Sequence, residues 1–107
     1  MFADRIVKLQ RFIVSQGEDV ISKQIYRSGT SIGANIAESI NAQSEADFIN
    51  KLSIALKEAN ETEYWLSRLH HAGYIDERGF VSMKNDNDEL IRMLVQSIKT
   101  VKKRINN

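Results

Sequence analysis

The chain contains no cysteine and no proline among its 107 residues. Without cysteine there is no disulfide framework, no thiolate metal site and no thiol nucleophile. Without proline, nothing in the sequence forces a break in a long helix. There is no run of 18 apolar residues and no charged-then-apolar leader, so neither a membrane span nor a signal peptide is expected, and the expected compartment is the cytoplasm. An excess of one charge is lacking too: 15 Lys and Arg face 14 Asp and Glu, a net +1. The total therefore selects no class of partner. What is present is globular: 42% hydrophobic and 27% charged residues argue against disorder, and the length suits one domain over residues 1–107.

Helical periodicity appears in four segments, and sustained strand alternation in none. The first runs from about Phe2 to Gln16, with Phe2, Ile6, Leu9, Phe12 and Ile13 on one face and Gly17 as a stop. The second spans about Asp19 to Asn41. Ile21, Ile25, Ile32, Ile36 and Ile40 share its core face. Gly29 and Gly33 lie inside it, each costing about 1 kcal/mol relative to alanine. The isoleucine phase continues across Gly29, which favours an unbroken helix over a break there. With Ala37 the glycines form a row of small residues suited to close approach by a neighbouring helix.

The third helix opens at Ser44-Glu45-Ala46-Asp47, a capping-box-like start, and continues to about Ala72 before Gly73. The fourth starts somewhere between Ser82 and Asp88 and runs to about Ile105, on a stripe of Leu90, Leu94, Ile98, Val101 and Ile105. The stretch Gly73–Lys84 reads as the one longer connection. Short links favour antiparallel neighbours, so the expected fold is all-α, an antiparallel up-down-up-down four-helix bundle.

Two helices carry more apolar surface than one bundle needs. On the third, Ile54 and Trp65 project roughly 200–220° from Leu52, with Leu69 beside them. On the first, Val7 and Val14 face away from Phe2, Leu9 and Ile13. A small bundle has no second layer to cover these positions, so a homo-oligomer is expected, with Ile54, Trp65, Leu69, Val7 and Val14 at its interface.

Catalytic patterns are missing. No strand-turn-helix elbow surrounds a serine, and no glycine-rich loop joins a strand to a helix. Di-metal bundles use Glu-x-x-His pairs, whereas Glu58-x-x-Glu61 has no such partner and His70 and His71 sit at a helix end. An enzyme is therefore not expected, nor a metal, a cofactor, a small-molecule substrate or a membrane partner. The polar residues near the core read instead as a structural network of Arg27, Ser28, Ser31, Asn35, Glu58 and Glu61 that sets helix register.

The charges are unevenly placed. Residues 90–107 carry Arg92, Lys99, Lys102, Lys103 and Arg104 with no acid, while residues 1–17 add Arg5, Lys8 and Arg11 against Asp4. Residues 73–89 are acidic, with five acids against two bases. Arg92, Lys99 and Lys103 project onto one outward line of the fourth helix. This basic ridge is a candidate contact for RNA or DNA backbone, with Arg5, Lys8 and Arg11 assisting. No aromatic residue interleaves it, so base stacking is not indicated. The competing reading is that a basic last turn complements the helix dipole.

The segment Gln24-Ile25-Tyr26-Arg27-Ser28-Gly29-Thr30-Ser31-Ile32-Gly33-Ala34-Asn35-Ile36-Ala37-Glu38 is distinctive. So is the following pattern of Asp47-Phe48-Ile49, Lys51-Leu52, Ile54-Ala55-Leu56-Lys57-Glu58-Ala59, Glu61-Thr62 and Tyr64-Trp65-Leu66. Together they resemble the four-helix-bundle proteins encoded in intervening sequences of bacterial 23S rRNA genes. The resemblance implies a homopentamer arranged as a barrel around a central channel, and places the six polar network residues at motif positions. A similar bundle is the accessory variability determinant of diversity-generating retroelements, which implies nucleic-acid binding through a basic surface. It also implies an alternative: an interaction scaffold docking a reverse transcriptase or a ribosome-associated protein, in which the acidic stretch Asp76–Glu89 contributes.

Overall fold

The structure is a computed structural model and describes residues 1–106. Four helices follow one another: α1 (Phe2–Ser15), α2 (Ile21–Ile40), α3 (Glu45–His71) and α4 (Glu77–Ile105). Helix α2 is continuous across both internal glycines. No helix among the described residues is long and apolar enough to cross a membrane.

Local chemistry explains the ends. Gly17 and Gly73 adopt positive φ angles of 91° and 84° just beyond α1 and α3, the conformation that closes a helix C-terminus. Ser44 Oγ accepts the Asp47 N–H at 3.0 Å, and the Asp47 carboxylate accepts the Gln43 N–H at 3.2 Å. The start of α2 is held by Glu18, whose buried carboxylate accepts the N–H groups of Val20, Ile21 and Ser22 at 3.1, 2.8 and 2.6 Å. Three donors that the helix cannot satisfy internally are thus paired by one side chain. Glu18→Ala is expected to lower stability by about 1–2 kcal/mol, the range for removal of a cap, as measured by urea unfolding.

The fourth helix starts earlier than its sequence pattern suggests. Asp76 Oδ1 accepts the Gly79 N–H at 2.7 Å and caps a helix that begins at Glu77. The expected connection over Gly73–Lys84 is therefore mostly helix. Its core face is hard to see in the sequence because Asn87 interrupts the apolar stripe between Met83 and Leu90.

Cross-helix pairs define the topology. Arg27 meets Glu58 and Glu61, Ser28 meets Thr62, and Glu38 meets Lys51, so α2 and α3 are antiparallel. Glu45–Arg104, Ala59–Asn87 and Glu63–Lys84 show the same for α3 and α4. Arg5 reaches Asp86 and Ser82, which sets α1 beside the first half of α4. The result is the expected up-down-up-down bundle.

The interior has two apolar clusters. One surrounds Ile6, Ile13, Ile25, Leu66, Leu69 and Met83; the other surrounds Ile32, Leu52, Ala55, Leu94 and Ile98. A polar layer lies between them. Ser28 and Thr62 share a hydroxyl–hydroxyl bond at 2.9 Å, and Asn87 donates to the Ala59 carbonyl at 2.9 Å, all three side chains being fully buried. Such a layer penalises sliding of α4 along α3, because another register takes the buried Asn87 N–H away from the Ala59 carbonyl.

Leu69 is a correction to the expected interface. It is 0% exposed and belongs to the first core cluster. At this end α1 lies over the bundle, and Leu69 falls on the side of α3 that the core covers. It is part of the monomer interior and unavailable to a second copy.

Candidate nucleic-acid interface

The expected basic residues fall into two separate groups. Arg92, Lys99, Lys102 and Lys103 are exposed on the second half of α4, and none has an ion-pair partner among the described residues. Arg104 is beside them but pairs with Glu45 at 3.1 Å. Steps of seven and four residues separate Arg92, Lys99 and Lys103, giving a line roughly 16 Å long on one helix face.

Helix α1 carries its cations elsewhere. Arg5 is engaged by Asp86 and donates to Ser82 at 2.9 Å. From that level α1 runs toward the N-terminal end of α4, while Lys99 lies toward its C-terminal end. Lys8 and Arg11 are exposed, yet Arg11 and Lys99 are roughly 30 Å apart along the bundle axis by helix rise. Within one chain the structure does not bring the α1 cations to the ridge.

The acidic stretch is largely occupied. Asp76 caps α4, Asp86 pairs with Arg5, and Asp88 holds Lys84 at 2.8 Å. Glu77 lies 2.8 Å from His70 Nε2, and the His70 ring stacks on Phe80 at 4.4 Å. Among the described residues no three His, Asp or Glu side chains converge in a metal-binding arrangement.

The polar network divides into two kinds of contact. Arg27 bridges Glu58, at 3.2 Å, and Glu61 across the α2–α3 seam. Ser31 instead donates to the Arg27 carbonyl at 2.6 Å, and Asn35 donates to the Ser31 carbonyl at 2.9 Å, so both bond within α2. Short polar side chains on a helix reach their own preceding turn more readily than a neighbouring helix. Asn87 and Glu18 are buried polar partners that sequence reasoning misses, whereas Thr62 is expected on the core stripe of α3 and is found there. Thr62 falls in phase with the apolar stripe of α3, and Asn87 sits where the sequence pattern places the ragged start of α4.

The Arg27 guanidinium, through its hydrogen bond, holds the Glu61 carboxyl below the usual glutamate range, against the opposing effect of desolvation. A depressed carboxyl contributes stability that is complete above its unfolded value, near pH 4.3, and disappears as pH falls through the lower folded value. Both side chains are part exposed, so solvent limits the size of the effect. Arg27→Gln is expected to flatten the acid limb of a stability-versus-pH curve below about pH 4.3 while leaving the neutral-to-basic shape unchanged.

The outward apolar residues are also separated. Ile54 is exposed at 36%, and Trp65 is half-buried against the first core cluster, with Tyr64 edge-on at 4.9 Å. These two share a flank of α3 beside the Arg27 bridge. Val14 is exposed and Val7 half-buried on α1, with α2 standing between the two sets.

Comparison with known proteins gives a consistent result. No curated protein matches the chain. A crystal structure of a protein of unknown function from the S23 ribosomal protein family of Bacteroides thetaiotaomicron is 60% identical, with a TM-score of 0.91 over 92% of each chain. The model of the 23S rRNA-intervening sequence protein family matches residues 1–96. Signature segments, helix order and packing agree with that match, and the chain belongs to the 23S rRNA-intervening sequence protein family.

Proposed function

We propose that this is a cytoplasmic, non-enzymatic bundle that assembles as a homo-oligomer and binds RNA or DNA through the phosphate backbone. The observation that carries the reading is the exposed quartet of Arg92, Lys99, Lys102 and Lys103 on one half of α4, without acidic partners among the described residues. Cations already paired within a protein must break that pairing to meet phosphate, whereas unpaired ones exchange only water and counterions. Self-association repeats the ridge, so modest contacts add through effective concentration. The pentamer implied by the family resemblance supplies five such ridges.

Fluorescence anisotropy with a structured RNA and a duplex DNA, across about 50–200 mM salt, tests the reading. Four phosphate contacts per chain give a log–log salt slope of roughly −3 to −4. Absence of binding at the lowest salt, or affinity insensitive to salt, overturns it. Assembly is tested separately by light scattering. Ile54→Asp places a charge on the exposed α3 flank and is expected to reduce the oligomer, and retention of full mass places the interface elsewhere. Ile54 is the cleaner probe because Trp65→Ala also removes packing from the core.

A further inference from the structure

The cations of the α4 ridge are unevenly spaced. Arg92 stands alone, whereas Lys99, Lys102 and Lys103 cluster toward the C-terminal end of the helix. From Arg92 to Lys99 the helix rises about 10.5 Å, and from Lys99 to Lys103 about 6 Å. Between Arg92 and Lys99 the outward line carries Gln96, exposed and uncharged, whose amide donates to Thr100 Oγ1 at 3.4 Å. No glycine or proline interrupts residues 92–103, so one continuous helix fixes these separations.

The ridge also has a definite end. One turn before Arg92 is Glu89, exposed and without an ion-pair partner among the described residues, with Asp88 and Asp86 just beyond it. A polyanion that followed the helix past Arg92 would meet these carboxylates. The phosphate-facing length is therefore the roughly 16 Å between Arg92 and Lys103.

This layout suits two rows of phosphate better than one. A flexible single strand offers one continuous row, and proteins that hold such strands stack the bases on aromatic side chains. The exposed Phe and Tyr side chains among the described residues, Phe12, Tyr26 and Tyr64, stand on α1, α2 and α3, away from the ridge. A duplex presents two rows, already ordered and separated by a groove. The major groove of B-form DNA is about 12 Å wide, close to the gap between Arg92 and Lys99. The A-form helix of RNA presents a wide, shallow minor groove. We infer that the ridge is built for double-stranded nucleic acid. Helix α4 crosses a groove, with Arg92 on the phosphates of one strand and Lys99, Lys102 and Lys103 on those of the other. Gln96 lies over the groove between them. The inference rests on the phosphate-binding reading above and adds to it the form of the nucleic acid.

The probes are DNA and RNA duplexes of about 16 base pairs and their unstructured component strands, titrated with the full chain by fluorescence anisotropy at about 0.1 M salt. Each duplex is expected to bind at least about ten-fold more tightly than either of its strands. The decisive variant carries Arg92→Gln and Gln96→Lys together, which keeps the number of cations and closes the gap. The added ammonium stands over the groove, so the duplex loses one phosphate contact. Duplex affinity is expected to fall roughly eight-fold at about 0.1 M salt, and the log–log salt slope by about 0.9 per chain. Binding of the single strands stays within about two-fold, and Tm changes little because both positions are exposed. A duplex preference shown by DNA alone or by RNA alone supports the inference and identifies which duplex the ridge takes. Strands bound as tightly as duplexes overturn the inference and leave a phosphate-binding ridge in place. So does a double variant that binds duplex as well as the unaltered chain, or that loses the strands equally. No binding of any probe at about 50 mM salt overturns both readings.

Discussion

Gly29→Ala is expected to lower stability by about 1–2 kcal/mol and Gly33→Ala to raise it by up to about 1, although the two glycines lie one turn apart in the same helix. Alanine is the better helix former at both positions, by about 1 kcal/mol. The difference lies in what the new methyl group meets. At Gly29 it would fall 2.7, 2.8 and 2.9 Å from Cγ1, Cδ1 and Cγ2 of Ile6. Ile6 is 0% exposed and β-branched, so its side chain has neither space nor an alternative rotamer to yield into. Helix α1 must move instead, which opens gaps around Ile13 and Leu66 in the same cluster. At Gly33 the methyl enters open space, so the helix-propensity gain is kept.

Gly29→Val enlarges the clash and is expected to cost about 3 kcal/mol, the upper range for overpacking. For a domain of this size that is a fall in Tm of roughly 12–24 °C. Urea and thermal unfolding of the three variants decide the matter. Adding Ile6→Val to Gly29→Ala removes one of the three clashing atoms, so the pair is expected to cost less than the sum of the single changes. Equal effects of alanine at both positions would show that α1 does not press on α2 as described.

The largest effect on binding is expected from the triple variant Arg92→Gln, Lys99→Gln and Lys103→Gln. Each cation removed from a phosphate takes about 0.9 from the log–log salt slope, so the slope should fall by roughly 2.7 per chain. At about 0.1 M salt this corresponds to roughly 500-fold weaker binding. Stability should change little, because all three side chains are exposed and have no ion-pair partner among the described residues. Lys8→Gln with Arg11→Gln is the internal comparison. These cations lie on the far half of the bundle, and neutralising them should leave the affinity of a single chain's ridge within a few-fold. A triple variant that binds as tightly as the unaltered chain assigns the binding to other residues. If the α1 pair matters as much as the ridge, the oligomer brings the two ends together.

The number of helices, their approximate ends and their antiparallel order follow from the chain alone. Those are properties of local physics. The isoleucine row of α2 repeats with the helix period, Gly17 and Gly73 stop helices by their own backbone freedom, and Ser44 caps α3 through its neighbours. The same local reasoning stops short at α4. A buried asparagine at position 87 looks like a loop residue until the Ala59 carbonyl is seen opposite it. Glu18 likewise reads as a surface acid until the turn folds it back onto three amides.

Whatever depends on the facing helix came only with packing. The three outward residues of α3 are in phase, but Leu69 is sealed into the first core cluster while Ile54 and Trp65 stay partly exposed. The eight candidate phosphate-binding cations are visible in the chain, yet only packing engages Arg5 with Asp86 and Arg104 with Glu45 and leaves Arg92, Lys99, Lys102 and Lys103 without an ion-pair partner among the described residues. Periodicity specifies a face at each residue, whereas cover, pairing and open space arise only when a second element is placed against that face at a definite level along the axis.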